Sequence, residues 1–152
     1  MEIQLNNGNH VLIDEADQDL AVHRWSVNGA GYAGRTVQKK VVFMHRIILA
    51  RFLGRELTSG EICDHINGDI LDNRRSNLRL ATIRQNAQNQ SVRTDNTSGY
   101  KGVSQQHNGR WRATICINGK NKHLGYFATA EEASKAYGNA AQQHFGEFAR
   151  PK

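Results

Sequence analysis

Apolar positions repeat in two different ways along the chain. Residues 44–53 are rich in apolar side chains and are followed by Gly54, which predicts a helix that ends at that glycine. Residues 110–117 instead carry apolar side chains at every second position, which predicts a β-strand with one apolar face. The two patterns together predict an α+β protein.

Short elements surround the predicted helix. Asn-Gly pairs at 7–8 and 28–29 predict turns between short strands in the first 43 residues. Two further strands are expected at 61–65 and 78–81, on either side of a polar loop. Thr82 and Gln85 have the spacing of a capping box, which predicts that a second helix begins near Thr82.

The last third of the chain predicts a sheet packed on one helix. Asn-Gly pairs at 108–109 and 118–119 flank the alternating strand and predict two hairpin turns, and Gly125 permits a bulge in the third strand. Thr129 and Glu132 predict the capped start of a helix with an alanine-rich stripe. The opposite sheet face, which carries arginines, is expected to stay open.

Charge separates the two regions. Residues 1–90 hold 11 Lys and Arg against 10 Asp and Glu, whereas residues 91–152 hold 9 against 4. The excess of basic side chains in the last third is typical of a nucleic-acid-binding module. A polar stretch without apolar periodicity divides the regions, which predicts an N-terminal domain at 1–91, a linker at 92–98 and a C-terminal domain at 99–152.

The composition excludes several other classes of protein. Cys63 and Cys116 are the two cysteines and no C-x-x-C pair occurs, which argues against a structural zinc site or a disulfide framework. The N-terminus lacks the pattern of a secretory signal, and no apolar run reaches the ~18 residues that span a bilayer. A cytoplasmic protein of a bacterial or phage-infected cell is expected, without a membrane partner or a small-molecule cofactor.

Residues 63–86 hold the chemistry-bearing side chains of the first domain. His65 can accept a proton near neutral pH, and Asp64 offers a hard oxygen ligand suited to Mg²⁺ or Mn²⁺. Asn86, about one turn into the second helix, offers an amide oxygen as a second ligand. Because Asp64 and His65 are neighbours on a strand, a bend is needed for both to serve one site.

The segment resembles the HNH nucleases, with their ββα-metal core, and the phage and intron homing endonucleases in particular. The matching pieces are 44–46, Asp64 and His65, the loop 67–69, 72–74, 77–79 and Asn86. The resemblance implies that His65 is the general base and that Asp64 and Asn86 hold one metal ion. It also implies that Asn77 ties the loop and orients the base. Asn86 stands where many members carry a histidine.

Several residues of this domain have competing interpretations. An EF-hand counted from Asp64 fails because Ile66 would occupy a ligand position. His45 is interpreted as a packed histidine beside the site rather than as a ligand, and Asn73 as a turn residue rather than as a catalytic one. Three arginines beside the site are expected to contact phosphate rather than to form an ordinary solvated face: they are Arg74, Arg75 and Arg79.

The C-terminal domain resembles the AP2 DNA-binding domain. The resemblance rests on residues 99–103, 111–115, 119–120, 124–127 and 129–141. It implies a three-stranded sheet that enters the major groove of double-stranded DNA. The positions carried over from the family or expected to contact phosphate are Lys101, Ser104, Arg110, Arg112, Thr114, Lys120, Asn121, Lys122, His123 and Tyr126.

These observations predict a metal-dependent DNA endonuclease of the nicking or homing type, acting as a monomer or a dimer on DNA. Its cleavage would leave a 5′-phosphate and a 3′-hydroxyl, as the resemblance implies. A DNA-binding regulator without catalytic activity is the alternative, since it could use the same C-terminal domain. The presence of both Asp64 and His65 favours the nuclease.

Overall fold

A computed structural model describes residues 1–92 and 94–150. Arg93, within the predicted linker, and the last two residues of the predicted C-terminal domain lie outside the described residues. The fold is a mixed α/β arrangement of small antiparallel sheets and few helices, divided into two compact units, residues 1–86 and 87–152. The division falls within a helix, and each unit has its own apolar core.

The N-terminal unit begins with two small sheets. Strands β1 (Glu2–Gln4) and β2 (His10–Leu12) pair around the turn at Asn7 and Gly8. Strands β3 (Ser26–Val27), β4 (Ala33–Val37) and β5 (Lys40–Phe43) form a second antiparallel sheet. Both sheets have strands where the Asn-Gly pairs predict them. In chain order, a 3₁₀ segment at Glu15–Val22 separates the two sheets. The sequence did not predict this segment, because its polar residues show no helical repeat.

Helix α1 (Met44–Leu53) follows β5 and ends as predicted at Gly54, whose φ of 67° closes it in the left-handed conformation. Met44, Ile48 and Leu49 are fully buried on one side of this helix. The core also contains Trp25, whose indole N–H donates to the carbonyl oxygen of Leu20 at 2.8 Å. The core therefore provides a rigid base for the elements that follow.

Strands β6 (Ile62–His65) and β7 (Leu78–Ala81) pair in register, with Asp64 opposite Arg79 and His65 opposite Leu78. Helix α2 (Ile83–Asn89) begins directly after them. Its capping box is confirmed: the Gln85 amide donates to Thr82 Oγ1 at 3.3 Å, and the Thr82 amide donates to Gln85 Oε1 at 2.9 Å. The hairpin and the helix together hold the predicted catalytic segment.

The C-terminal unit is a three-stranded sheet packed on one long helix. Strands β8 (Val103–Gln105), β9 (Trp111–Ile117) and β10 (Lys120–Phe127) lie in the order β10-β9-β8. The pairing register shifts between His123 and Gly125, which confirms the bulge. Helix α3 (Ala130–Phe145) begins with the predicted capping box and packs its alanines on the sheet.

Gly102 shows how closely this helix and the sheet approach each other. Its φ is 63°, and a Cβ added there would meet the carbonyl oxygen of Thr114 and the ring of Tyr137. Only glycine fits this space and this backbone conformation without strain. The small residue thus sets the spacing between α3 and the loop that enters β8.

Candidate nuclease site

The predicted metal ligand Asp64 and the predicted base His65 lie at the end of β6 and are almost fully enclosed. Each is 4% exposed. Their strand pairs with β7, and Asn73 of the loop between the two strands contacts the His65 ring. Buried ionisable side chains are uncommon unless they are paired or functional, so this pair marks the centre of the candidate site.

His65 forms a hydrogen bond with a residue of the loop. Its Nε2 lies 2.8 Å from Asn73 Oδ1, and Asn73 is fully buried. Burial lowers the pKa of His65, while the hydrogen bond to Asn73 and the charge of Asp64 act in the opposite direction. The imidazole is therefore neutral at pH 7 and able to accept a proton.

Asn77 holds the loop closed from its other end. Its Oδ1 accepts a hydrogen bond from the Asn67 amide at 3.0 Å, and its Nδ2 donates to the Asp72 carbonyl oxygen at 2.7 Å. Asn77 thus ties two distant points of the loop together, as the resemblance implies. The side chain that contacts the His65 ring is that of Asn73, which the sequence presented as a turn residue.

Asp64 pairs with a cation of the chain itself. Arg79 Nε donates to Asp64 Oδ2 at 2.8 Å, and both side chains are largely buried. The Arg79 guanidinium supplies a positive charge beside the Asp64 carboxylate. A carboxylate oxygen and an amide oxygen are hard donors of the kind that Mg²⁺ prefers, and the joint binding of one ion by Asp64 and Asn86 stays a prediction. Among the described residues, no three His, Cys, Asp or Glu side chains group to hold a metal.

The other two arginines beside the site are also engaged by carboxylates. Arg74 makes two hydrogen bonds to Asp72, at 2.8 and 2.7 Å. Arg75 bonds to Asp17 at 2.8 and 3.0 Å, and Asp17 is fully buried in the 3₁₀ segment. The Arg75–Asp17 pair links the site loop to the 3₁₀ segment, whereas the Arg74–Asp72 pair lies within the loop. Contact of the arginines with DNA phosphates stays a prediction.

His45 lies beside His65 within a cluster of rings. The centroids of the two imidazoles are 5.3 Å apart, and the rings of Tyr32 and Phe43 lie 4.8 and 5.7 Å from that of His45. Burial lowers the pKa of His45 to about 3, helped by the charges of His65 and Arg46. A neutral imidazole packed among rings is the arrangement expected for a histidine that shapes the site wall.

The sequence contained no indication of two residues that the structure places at or under the site, and it left the role of a third undefined. Tyr32, whose ring centroid lies 6.1 Å from that of His65, is too far away in sequence to be linked to it. Asp17 gave no signal because a lone aspartate in a polar segment is ordinary. Asn73 was noticed, but only its contact with His65 reveals what its side chain does.

The open face of the C-terminal sheet gathers many of the predicted DNA-contacting side chains. Residues opposite each other in neighbouring strands project on the same face. The register sets Arg112 between Ser104 and Tyr126, Thr114 opposite His123, and Cys116 opposite Asn121. Arg110 donates to the Tyr126 carbonyl oxygen at 3.0 Å, and its guanidinium lies 6.0 Å from the Tyr126 ring.

Three predicted DNA contacts are not part of this face. Lys120 and Lys122 stand opposite Ile117 and Ile115, so the register directs them to the side on which α3 packs. Lys101 is half-buried and donates to the carbonyl oxygens of Gln88 and Arg150, each at 2.9 Å. Burial lowers the pKa of Lys101 to about 8. Its ammonium group ties the sheet loop to both ends of the unit.

Comparison with known proteins assigns this site to a class. Residues 42–88, which contain β6, β7 and most of α2, match the HNH endonuclease family. An uncharacterized HNH endonuclease of Acanthamoeba polyphaga mimivirus is 33% identical over 132 residues, which cover 87% of this chain and 68% of that protein. The chain therefore belongs to the HNH endonuclease family, and the protein is an HNH nuclease.

Further similarities include a phage protein and a plant transcription factor. Protein 3.8 of Escherichia phage T7 is 34% identical over 95 residues, or 62% of this chain and 78% of the phage protein. An AP2/ERF and B3 domain-containing transcription factor of Arabidopsis thaliana is 50% identical over 42 residues, or 28% of this chain and 12% of that factor. No solved structure matches the chain. Within the part of the chain that the structure describes, no helix is long and apolar enough to cross a membrane.

Proposed function

We propose that the protein is a divalent-metal-dependent DNA endonuclease of the nicking or homing type. His65 serves as the general base, and Asp64 and Asn86 hold one Mg²⁺ or Mn²⁺ ion. The C-terminal unit, an AP2-like module, binds double-stranded DNA through the open face of its sheet. The observation that carries the proposal is the buried Asp64–His65 pair on the hairpin of an HNH family member.

The chemistry of the pair supports hydrolysis of a phosphodiester. A water molecule attacks phosphorus as His65 takes its proton, and the bond to the 3′ oxygen breaks. The leaving oxygen takes a proton from solvent water to become a 3′-hydroxyl, and His65 afterwards returns its own proton to solvent. The other product keeps a 5′-phosphate. The neutral state of His65 at pH 7 suits it to this step. When bound, the ion would supply positive charge beside the phosphate and the leaving oxygen.

The donor set favours a hard cation over a soft one. The carboxylate of Asp64 and the amide oxygen of Asn86 are oxygen ligands, and Mg²⁺ is commonly held by one or two protein oxygens with water and phosphate. A metal ion held by Asp64 would bind a carboxylate that already pairs with Arg79 at 2.8 Å.

The open face of the C-terminal sheet supports DNA binding. Arg110, Arg112 and His123 lie there beside polar side chains, and the apolar residues of the same strands are turned toward α3. Basic and polar groups on a flat sheet suit contact with phosphates and base edges. The similarity to plant AP2/ERF factors agrees with this interpretation. One active site per chain makes a single-strand nick the expected product of a monomer.

A supercoiled-plasmid assay tests the proposal most directly. Wild type should convert the plasmid to a nicked or linear form with Mg²⁺ and leave it intact with EDTA. His65→Ala should lose cleavage by about 10²- to 10⁴-fold, the usual contribution of a general base, and should keep its affinity for DNA. His107→Ala, which removes an exposed histidine of the other unit, is the matched control. Undiminished cutting by His65→Ala would remove His65 as the base.

Asp64→Ala in the same assay tests the ligand assignment. The variant should lose activity together with its response to Mg²⁺, because the hard anionic ligand is gone. Full activity at low Mg²⁺ would exclude Asp64 as a ligand. The form of the product in the wild-type lane, nicked or linear, distinguishes a single-strand from a double-strand cut.

A further inference from the structure

Asn73 is a fully enclosed residue whose side chain touches the proposed base. It is 0% exposed, and its Oδ1 lies 2.8 Å from Nε2 of His65. Its backbone is anchored as well, since the Asn73 amide donates to the carbonyl oxygen of Leu12 at 2.8 Å. The amide side chain is therefore presented to the imidazole from a fixed backbone.

The chemistry of the contact specifies where the imidazole proton lies. An amide oxygen accepts hydrogen bonds and cannot donate, so Nε2 of His65 must carry the proton in this bond. A neutral imidazole has one N–H. With Nε2 protonated, the lone pair of the ring is on Nδ1, and Nδ1 becomes the basic atom.

The other polar atom of the Asn73 side chain, Nδ2, indicates that the contact with His65 is the reason for an asparagine at this position. Among the described residues, no hydrogen-bond partner is found for the buried Nδ2 of Asn73. A buried donor without a partner is unfavourable, and an apolar side chain of similar volume would avoid that penalty. The presence of a buried amide at this position is therefore explained by the hydrogen bond that its oxygen makes with His65.

We propose that Asn73 sets the tautomer of His65, holding the proton on Nε2 so that Nδ1 is the atom that accepts a proton from the attacking water. The inference rests on the proposed role of His65 as general base. Asn73 is a positioning residue in this scheme, because it acts through His65. The two buried asparagines therefore have different roles in this scheme: Asn77 closes the loop and Asn73 orients the base.

The opposite orientation of the Asn73 amide makes the opposite prediction. If Nδ2 faced the ring, it would donate to Nε2, and the proton of the neutral imidazole would move to Nδ1. The basic lone pair would then be tied up in the bond to Asn73. The tautomer of His65 thus separates the two orientations in a single measurement on the wild-type protein.

The first experiment is ¹⁵N NMR of the histidine side chains in the full-length wild-type protein, at a pH where His65 is neutral. His65 resonances are assigned by their absence from His65→Ala. The proposal expects the Nε2–H tautomer. Observation of the Nδ1–H tautomer in wild type would overturn it. The measurement needs neither metal nor DNA.

The second experiment compares two substitutions at one position. Asn73→Leu keeps the volume and removes the acceptor, so the tautomer should become mixed and kcat for plasmid cleavage should fall by about 10- to 100-fold, with KM little changed. Asn73→Asp keeps an acceptor at the same place and should retain the Nε2–H tautomer and most of the activity. Ile48→Val, a substitution in the same core, controls for a loss of stability alone.

The outcomes distinguish this inference from the proposed function. Loss of cleavage in His65→Ala together with full activity and an unchanged tautomer in Asn73→Leu would overturn only the role of Asn73. Full cleavage by His65→Ala would overturn the role of His65 itself. If Asn73→Leu does not fold, the wild-type tautomer and the Asn73→Asp variant still decide the question.

Discussion

The two units of the protein place their polar side chains in opposite ways. The N-terminal unit encloses them: Asp17, Asp64, His65 and Asn73 are all buried, and each contacts a specific partner. The C-terminal unit encloses a small core rich in alanine and leaves Arg112, His123 and Tyr126 exposed on a flat sheet. Proton transfer requires restrained groups in a controlled environment, whereas DNA binding requires an accessible surface.

The difference has an energetic consequence. Substitution of a polar side chain in the N-terminal unit leaves a buried partner without its counterpart, which affects stability as well as activity. Substitution on the open face of the C-terminal sheet leaves groups that water can solvate, so stability should change little and the effect should fall on the proposed binding of DNA. The following predictions test this contrast in order of decreasing effect.

The buried carboxylate of Asp17 should be the most sensitive point of the N-terminal unit. It pairs with Arg75 and Arg51, whose side chains are 30% and 38% exposed. Asp17→Ala should lower the free energy of unfolding by about 3 kcal/mol, the low end for a broken buried pair, since both arginines can reach water. Chemical denaturation measures the change. Asp19→Asn, which removes the exposed partner of Arg51, should leave the free energy of unfolding nearly unchanged.

Substitutions on the open face of the C-terminal sheet should change DNA affinity rather than the free energy of unfolding. Arg110→Ala with Arg112→Ala should leave the unfolding free energy within about 0.5 kcal/mol of wild type. The slope of log affinity against log salt should fall by about 1.8 if both arginines contact phosphate. Binding titrations at several salt concentrations measure it. The pair Lys120→Ala with Lys122→Ala, on the α3 side of the sheet, should change the slope less; an equal change would assign DNA contact to both sides.

The buried histidine of the site wall should make the protein sensitive to acid. The pKa of His45 is about 3 in the folded protein and 6.5 in its ordinary state. The unfolded chain therefore binds the proton first as the pH falls through 6.5, so stability is lost between about pH 6.5 and pH 3. His45→Phe should remove about 2 kcal/mol of the stability difference between pH 7 and pH 5. An unchanged pH dependence would show that His45 is hydrated in the folded state.

Helices and strands were predicted from the sequence wherever a short segment itself contains the residues that determine its structure. Helix α1 ends at Gly54, and the capping boxes at Thr82 and Thr129 begin their helices, because each signal acts within one turn of the chain. The alternation of residues 110–117 likewise appears as buried and exposed positions of β9. The 3₁₀ segment lacked such a determinant and was missed.

The sequence by itself determined the types of element, the charge of the C-terminal region, and the candidate residues Asp64, His65, Asn77 and Asn86. Only the tertiary structure decided which side chains meet. Asn73 contacts His65 across eight positions and Arg75 contacts Asp17 across 58. Such contacts depend on how the loop folds over the hairpin and on which groups become buried, and both follow from packing between distant segments rather than from the local order of residues.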